Sequence, residues 1–234
     1  MYKFKIRCSA ISQIMTDPKT KKAKEAGELS QTAKTYCETW LKEQLYKQRK
    51  EFSSKYTEKG NQTEDSSIDF LKDQGVLGAF DQKNEEYKSN DYIGGTCDVD
   101  TIKDIVDLKN SWDCFSFPLF QTSNKNKAYE WQLQGYMELW QRETSRLIYC
   151  LTNTPEELVD KEIYYATNEK ELTKEEYEEI ETKTRAKHNY SNLDPILRYK
   201  IFSIERDKSK AESIKARVAQ CQTYINYLLN QIGY

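Results

Sequence analysis

The chain has 234 residues, long enough for one sizeable globular domain, and no internal repeat divides it into two. Its 36 basic and 38 acidic residues leave a net charge of -2, which is uninformative as a total and hides strong local patterning. No run of about eighteen apolar residues suits a membrane span, and the N-terminus lacks the apolar core of a signal peptide. The six cysteines, at positions 8, 37, 97, 114, 150 and 221, form no Cys-x-x-Cys pair and no cluster with zinc or iron–sulfur spacing. They read as reduced, mostly buried thiols of a soluble, cytoplasmic protein.

In chain order, Ser9 to Met15 reads as a short helix capped by Ser9. Lys19, Lys21, Lys22 and Lys24 make a basic patch, which is either a solvated face or a surface that tolerates a phosphate backbone. A longer amphipathic helix follows from about Ser30 to Lys47, with Ala33, Tyr36, Cys37, Trp40, Leu41 and Leu45 on one side. Gly60 to Leu71 reads as a helix carrying Glu64, with Ile68 and Leu71 at core-facing spacing. Strands take over from about Glu86 to Trp112, broken by turn signals at Ser89-Asn90 and Gly94-Gly95.

A helix from about Ala128 to Gln141 comes next, then a short apolar strand, Arg146 to Leu151. Pro155 to Tyr165 and Lys174 to Lys187 read as helical, and Leu197 to Ile204 alternates like a strand. Glu169 to Glu181 is acidic and is expected to lie away from any nucleic acid. In the closing helix Ile214, Val218, Cys221, Ile225, Leu228 and Ile232 recur at three- and four-residue steps, which predicts packing across the sheet. The order of elements argues for an α/β fold, a central mixed β-sheet flanked by α-helices.

The chemistry concentrates in Gly94-Gly95-Thr96-Cys97-Asp98 and Asp104-Ile105-Val106-Asp107-Leu108-Lys109. Strand alternation places Ile105, Asp107 and Lys109 on one face and Val106 and Leu108 on the other. Asp98 and Asp107, nine residues apart, can then meet at one metal with a lysine beside it. A metal held by aspartates activates water and neutralises phosphate charge, and an ammonium shields developing negative charge. Acid-x-Lys spacing alone is weak, because it recurs at Asp17/Lys19, Asp81/Lys83, Glu86/Lys88 and Glu181/Lys183, but only Asp107 sits in an apolar strand. Standing alone, Asp107 and Lys109 fit a surface pair equally well. Asp100 or Asp104 replaces Asp98 if the hairpin register differs. Gln132 and Tyr136, four apart on a helix, share a face, either as core-edge packing or to contact a phosphate or the lysine.

Gly95-x-x-Asp98, Asp107-x-Lys109 and Gln132-x-x-x-Tyr136 resemble, in order and spacing, the motifs of PD-(D/E)XK nucleases of the RecB-like and lambda-exonuclease-like (YqaJ) groups. Gly60 to Glu64 is similar to their upstream glycine-to-glutamate helix motif, and Arg7-Cys8-Ser9 with Ser12 to the start of phage-type members. The resemblance implies a single nuclease domain over residues 1–234, with a helical N-terminal region and a restriction-endonuclease-like core. It implies that Asp98, Asp107 and the Leu108 carbonyl ligate a metal, that Glu64 completes a second position or holds a metal-bound water, and that Lys109 orients the attacking water. Oxygen ligands select Mg2+, with Mn2+ as a substitute, and two ions about 4 Å apart clamp the attacking and leaving oxygens.

The sole histidine, His188, lies far from these motifs and has a surface or core role. The cysteine cage of some RecB-like nucleases is missing, which points to the phage branch. The implied activity is Mg2+-dependent exonuclease digestion of linear duplex DNA from its ends, 5′-to-3′ and linked to phage recombination. Arg7, Ser9 and Ser12 are then holders of a terminal 5′-phosphate, and a single-strand annealing protein and further copies of the chain are the implied partners. The alternatives are an endonuclease or nickase of the same fold and a catalytically silent nucleic-acid-binding protein.

Overall fold

The alternation predicted along the central strand sorts the core into two layers. The computed structural model describes residues 2–50 and 54–234. In it, β5 (Ile105–Asn110) sends Ile105 into the larger apolar cluster, while Val106 and Leu108 pack with Ile68, Leu71, Leu77, Val99, Ile148 and Cys150. Ahead of β5 come β1 (Ile6–Arg7), a 3-10 turn over Cys8–Ala10, α1 (Ile11–Ile14), α2 (Lys21–Glu25), α3 (Gln31–Tyr46), α4 (Lys55–Asp73), β2 (Lys88–Ser89), β3 (Ile93–Gly95) and β4 (Val99–Asp100). After it come α5 (Lys127–Trp140), β6 (Thr144–Cys150), α6 (Glu156–Thr167), α7 (Lys174–Lys187), β7 (Tyr199–Glu205) and α8 (Lys208–Gln231).

Two mixed sheets result, one ordered β1-β3-β2 and the other β4-β5-β6-β7. β5 and β6 run parallel, so the chain must cross over between them, and α5 makes that crossover. Helices α4 and α5 both pack on β5, so this strand is covered by helices. The expected α/β architecture, mixed sheet with flanking helices, is the one observed. α5 carries a wholly buried ridge, in which Leu133 and Met137 are fully enclosed; burying such side chains stabilises the fold by about 2 kcal/mol each. No helix among the described residues is long and apolar enough to cross a membrane.

Several local expectations are corrected. Ser9 caps no helix: the chain leaves β1 directly into the 3-10 turn, so Ser9 sits inside that turn, and neither it nor α1 has a side-chain cap. Gly94-Gly95 is not a turn but the end of β3, paired with β1 and β2. Its glycines answer to crowding, since a Cβ on Gly94 would stand 2.1 Å from Tyr87 Oη and one on Gly95 2.9 Å from Tyr136 Cε1.

Helix α4 starts at Lys55 rather than Gly60 because the Ser54 hydroxyl accepts from Thr57 N–H and caps it there. The lysine patch forms the short α2, capped by Thr20, with Lys21 and Lys24 paired to Glu25 and Asp17. α8 packs on α3, α5 and α1 rather than across the sheet. Its buried row ends at Leu229, not Leu228, and Ile232 is exposed beyond the helix end. The acidic α7 lies against α6, held by Arg185 to Asp160 and Glu156 of α6. All six cysteines are free, five of them buried and Cys114 exposed.

Candidate active site

The hairpin register decides which aspartates meet. Thr101 N–H donates to the Asp104 carbonyl at 3.0 Å and closes the turn, which pairs Val99 with Val106 and Asp100 with Ile105. One more step in that register sets Asp98 across from Asp107, and the Leu108 N–H donates to Asp98 Oδ2 at 2.6 Å. Asp100 and Asp104 are committed elsewhere, the first to Arg142 at 2.8 Å and the second to Arg146 at 2.5 and 3.0 Å. They are structural ion pairs, and the alternative registers fall away.

Asp107 is fully buried. Its Oδ1 accepts from Gln132 Nε2 at 2.8 Å, and the same amide nitrogen lies 3.2 Å from Tyr136 Oη. Gln132 and Tyr136 thus share the face expected of them, but their partners are the carboxylate and each other rather than Lys109. The Lys109 ammonium stands 2.5 Å from Asp107 Oδ2. At that distance the ammonium is the close partner of Oδ2, a buried ion pair in which Lys109 balances the Asp107 charge.

Clustering of like charge acts on the site's ionisable groups. The half-buried Asp98 carboxyl is pushed up to about 7, by desolvation first and by the Asp107 charge second, with a smaller push from Glu64. Desolvation pulls the Lys109 ammonium the other way, but the charges of Asp107 and Asp98 outweigh it and hold the lysine protonated. The Tyr136 phenol is driven well above its ordinary range by burial and by the same two carboxylates.

Glu64 comes from the other side of the sheet. It flanks the buried ridge of α4, formed by Lys59, Thr63, Ser67 and Leu71, and its Oε1 lies 3.3 Å from Lys83 Nζ. No hydrogen bond joins it to Asp98 or Asp107, although Asp98 feels its charge. Arg7, Ser9 and Ser12 are not brought into direct contact with the carboxylates. Arg7 pairs with Glu43 at 3.7 Å, Ser9 is exposed and Ser12 is half-buried. The segment is nevertheless seated beside the site, because Cys8 packs against both Gly95 and Gly135.

Three contributors escaped the sequence reading. The Lys109 ammonium lies 4.9 Å from the centre of the Tyr129 ring, a cation–π contact from α5. Tyr129 precedes Gln132 by three residues, and helical spacing alone could have put it on the same face. Asn84 and Lys83, on the loop before β2, touch the Asp98 segment and Glu64; nothing in the local sequence marks Asn84, and Lys83 stands out only in the weak Asp81-x-Lys83 spacing. His188 is buried in the core, where its Nδ1 is 3.0 Å from Thr154 Oγ1.

The donor set suits a hard cation. The two facing carboxylates of Asp98 and Asp107 offer hard oxygen ligands, and Lys109 offsets only part of their negative charge. Among the described residues no three Asp, Glu, His or Cys side chains close on one point. Hard oxygen donors of this kind have the chemistry that fits Mg2+, an ion that takes one or two carboxylates and keeps water or phosphate in the rest of its shell.

No protein-family model and no curated protein sequence matches the chain. Among solved structures it is similar to a phage-related exonuclease from Haemophilus somnus 129PT, at 30% identity and a TM-score of 0.80, covering 99% of this chain and 97% of that one. The alkaline exonuclease LHK-Exo from Laribacter hongkongensis, solved also in complex with dAMP, shares the fold at 13% and 14% identity, with a TM-score of 0.62 and coverage of 98% of this chain and 93% of that one. With this fold, and with 30% identity over almost its whole length, the chain belongs to the family of the phage-related exonuclease, a lambda-exonuclease-like nuclease.

Proposed function

We propose that the protein is a Mg2+-dependent exonuclease that degrades linear duplex DNA from its ends. One observation carries the metal reading: Asp98 and the fully buried Asp107 face each other across the hairpin, two carboxylates with the Lys109 ammonium as the close cation. Two carboxylates brought together against one ammonium are costly when both are ionised, and a divalent cation would offset the excess negative charge. In this reading Asp98, Asp107 and the Leu108 carbonyl hold the ion, Glu64 serves a second position, and Mn2+ substitutes for Mg2+. The metal supplies charge neutralisation at the phosphate and lowers the pKa of water.

The side chains do the rest. Gln132 fixes the rotamer of Asp107, and Tyr136 sits against the Gln132 amide. Lys109, held charged by its neighbours, orients the attacking water and offsets charge that builds on the phosphate oxygens. Tyr129 covers the flank of the ammonium and limits its swing. The family relationship supports exonuclease chemistry and DNA as substrate, given that a neighbour of the same fold was solved with dAMP. A 5′-to-3′ direction, a role for Arg7, Ser9 and Ser12 at the terminal 5′-phosphate, a cytoplasmic place in a phage-infected bacterium, and work with an annealing protein extend the same reading.

End-labelled linear duplex, with 5′-phosphate or 5′-hydroxyl, incubated in Mg2+ or in chelator beside a covalently closed circle, tests it. Digestion of the linear form alone, only with Mg2+ and faster from the phosphorylated end, is expected. Cleavage of the closed circle would instead make the protein an endonuclease, and digestion in chelator would remove the metal.

A further inference from the structure

The loop between α4 and β2 touches both arms of the site. Asn84 is anchored to the segment that carries Asp98: its N–H donates to the Asp98 carbonyl at 2.8 Å and its Nδ2 to the Cys97 carbonyl at 3.0 Å. Its Oδ1 accepts from Glu86 N–H at 3.2 Å, so the residue is held on three sides. The residue before it reaches the opposite way. Lys83 Nζ lies 3.3 Å from Glu64 Oε1 and 3.6 Å from Asp65 Oδ1, both on α4.

Each carboxylate of the site then has a fixing partner. Asp107 has the Gln132 amide and Asp98 the Leu108 N–H. For Glu64, the partner among the described residues is Lys83. Repulsion between Glu64 and the Asp98–Asp107 pair favours turning Glu64 out to solvent, and a glutamate side chain has the rotamers to do so. A cation tethered one residue from the Asp98 anchor opposes that motion.

We infer that Lys83 is a positioning residue for Glu64, and that Lys83-Asn84 is a strap that sets the spacing between Glu64 and Asp98 for divalent-ion binding. The inference rests on the metal reading above and adds to it a residue that acts through Glu64, not on the substrate. Lys83 is 41% exposed in its side chain, so its loss leaves the packed core untouched.

The test is calorimetric titration of Ca2+ alone into wild type, Lys83→Met, Lys83→Arg, Glu64→Gln and the Glu64→Gln/Lys83→Met double variant, with Mg2+ titration of the digestion rate alongside. Lys83→Met is expected to weaken ion binding, and to raise the Mg2+ needed for half-maximal rate, by about tenfold, the size found when a ligand loses its supporting partner. The KM for DNA stays put, Lys83→Arg restores the wild-type midpoint, and in the double variant Lys83→Met adds nothing to Glu64→Gln. Ion binding in Lys83→Met equal to or tighter than wild type, or losses that add in the double variant, overturns the strap. Asp107→Asn in the same series separates the two ideas: if it binds ions and digests DNA like wild type the metal reading itself fails, whereas its loss beside an unaltered Lys83→Met overturns the strap alone.

Discussion

The Gln132 side-chain amide donates to Asp107 Oδ1 across 2.8 Å from a helix that crosses over the strand carrying Asp107. This bond settles the orientation of a buried carboxylate whose other oxygen faces Lys109. Gln132→Ala leaves Oδ1 buried without its donor, which costs about 1–3 kcal/mol in stability. The digestion rate should fall about tenfold or more, because Asp107 is then free to rotate, while the KM for DNA changes little. Urea unfolding and steady-state kinetics read the two effects, and a variant with wild-type rate would show that Gln132 only fills space.

Lys109→Ala separates ion binding from turnover. The ammonium is assigned to water and to transition-state charge, so the variant should bind Ca2+ about as well as wild type, or better once a competing cation is gone, and lose most of its turnover. Calorimetry beside single-turnover digestion checks this. Collapse of ion affinity would make Lys109 structural.

Glu64 lies more than thirty residues upstream, on the helix of the opposite sheet face. Glu64→Gln should cut the rate by orders of magnitude and weaken an ion position, with duplex affinity in Ca2+ little changed. Full Mg2+ activity in this variant would reduce Glu64 to a helix-surface residue paired with Lys83.

Much of this site was legible because strand and helix periodicities expose it. Alternation put Asp107 and Lys109 on one face of β5, and four-residue spacing put Gln132 and Tyr136 together on α5. Helix α7 runs from Lys174 to Lys187 as expected, since Thr173 and Glu176 form a capping box at its start. What stayed hidden depends on the tertiary neighbours. Gly94-Gly95 carries a turn signal, yet the crowding of Tyr87 and Tyr136 puts those glycines in a strand. Asp81-x-Lys83 looked like one more polar loop, and only the fold brings its lysine to Glu64. Leu228 and Leu229 are adjacent, so a shift of one residue in the helix face decided which is buried.

A second buried lysine makes a pH prediction away from the site. Lys59 is wholly buried on α4, where its ammonium donates to the carbonyls of Trp112 at 3.0 Å and Thr152 at 2.9 Å. Burial lowers its pKa from 10.5 to about 8, against a smaller opposing pull from Asp113. The unfolded chain therefore holds this proton more tightly, and unfolding free energy should rise with pH from about 8 to 10.5. The gain is on the order of 3 kcal/mol. Measured as the difference from Lys59→Met, which removes contributions from other groups, the slope should be positive in that window. A flat difference would show that the ammonium is as well solvated folded as unfolded.

The most direct test of the whole account is the turnover of Asp107→Asn on end-labelled linear duplex in saturating Mg2+. The exchange keeps side-chain volume but removes the charge of a buried carboxylate, and the protein should remain folded by circular dichroism while digestion becomes undetectable. A folded Asp107→Asn protein that degrades DNA at the wild-type rate would contradict the account at its centre.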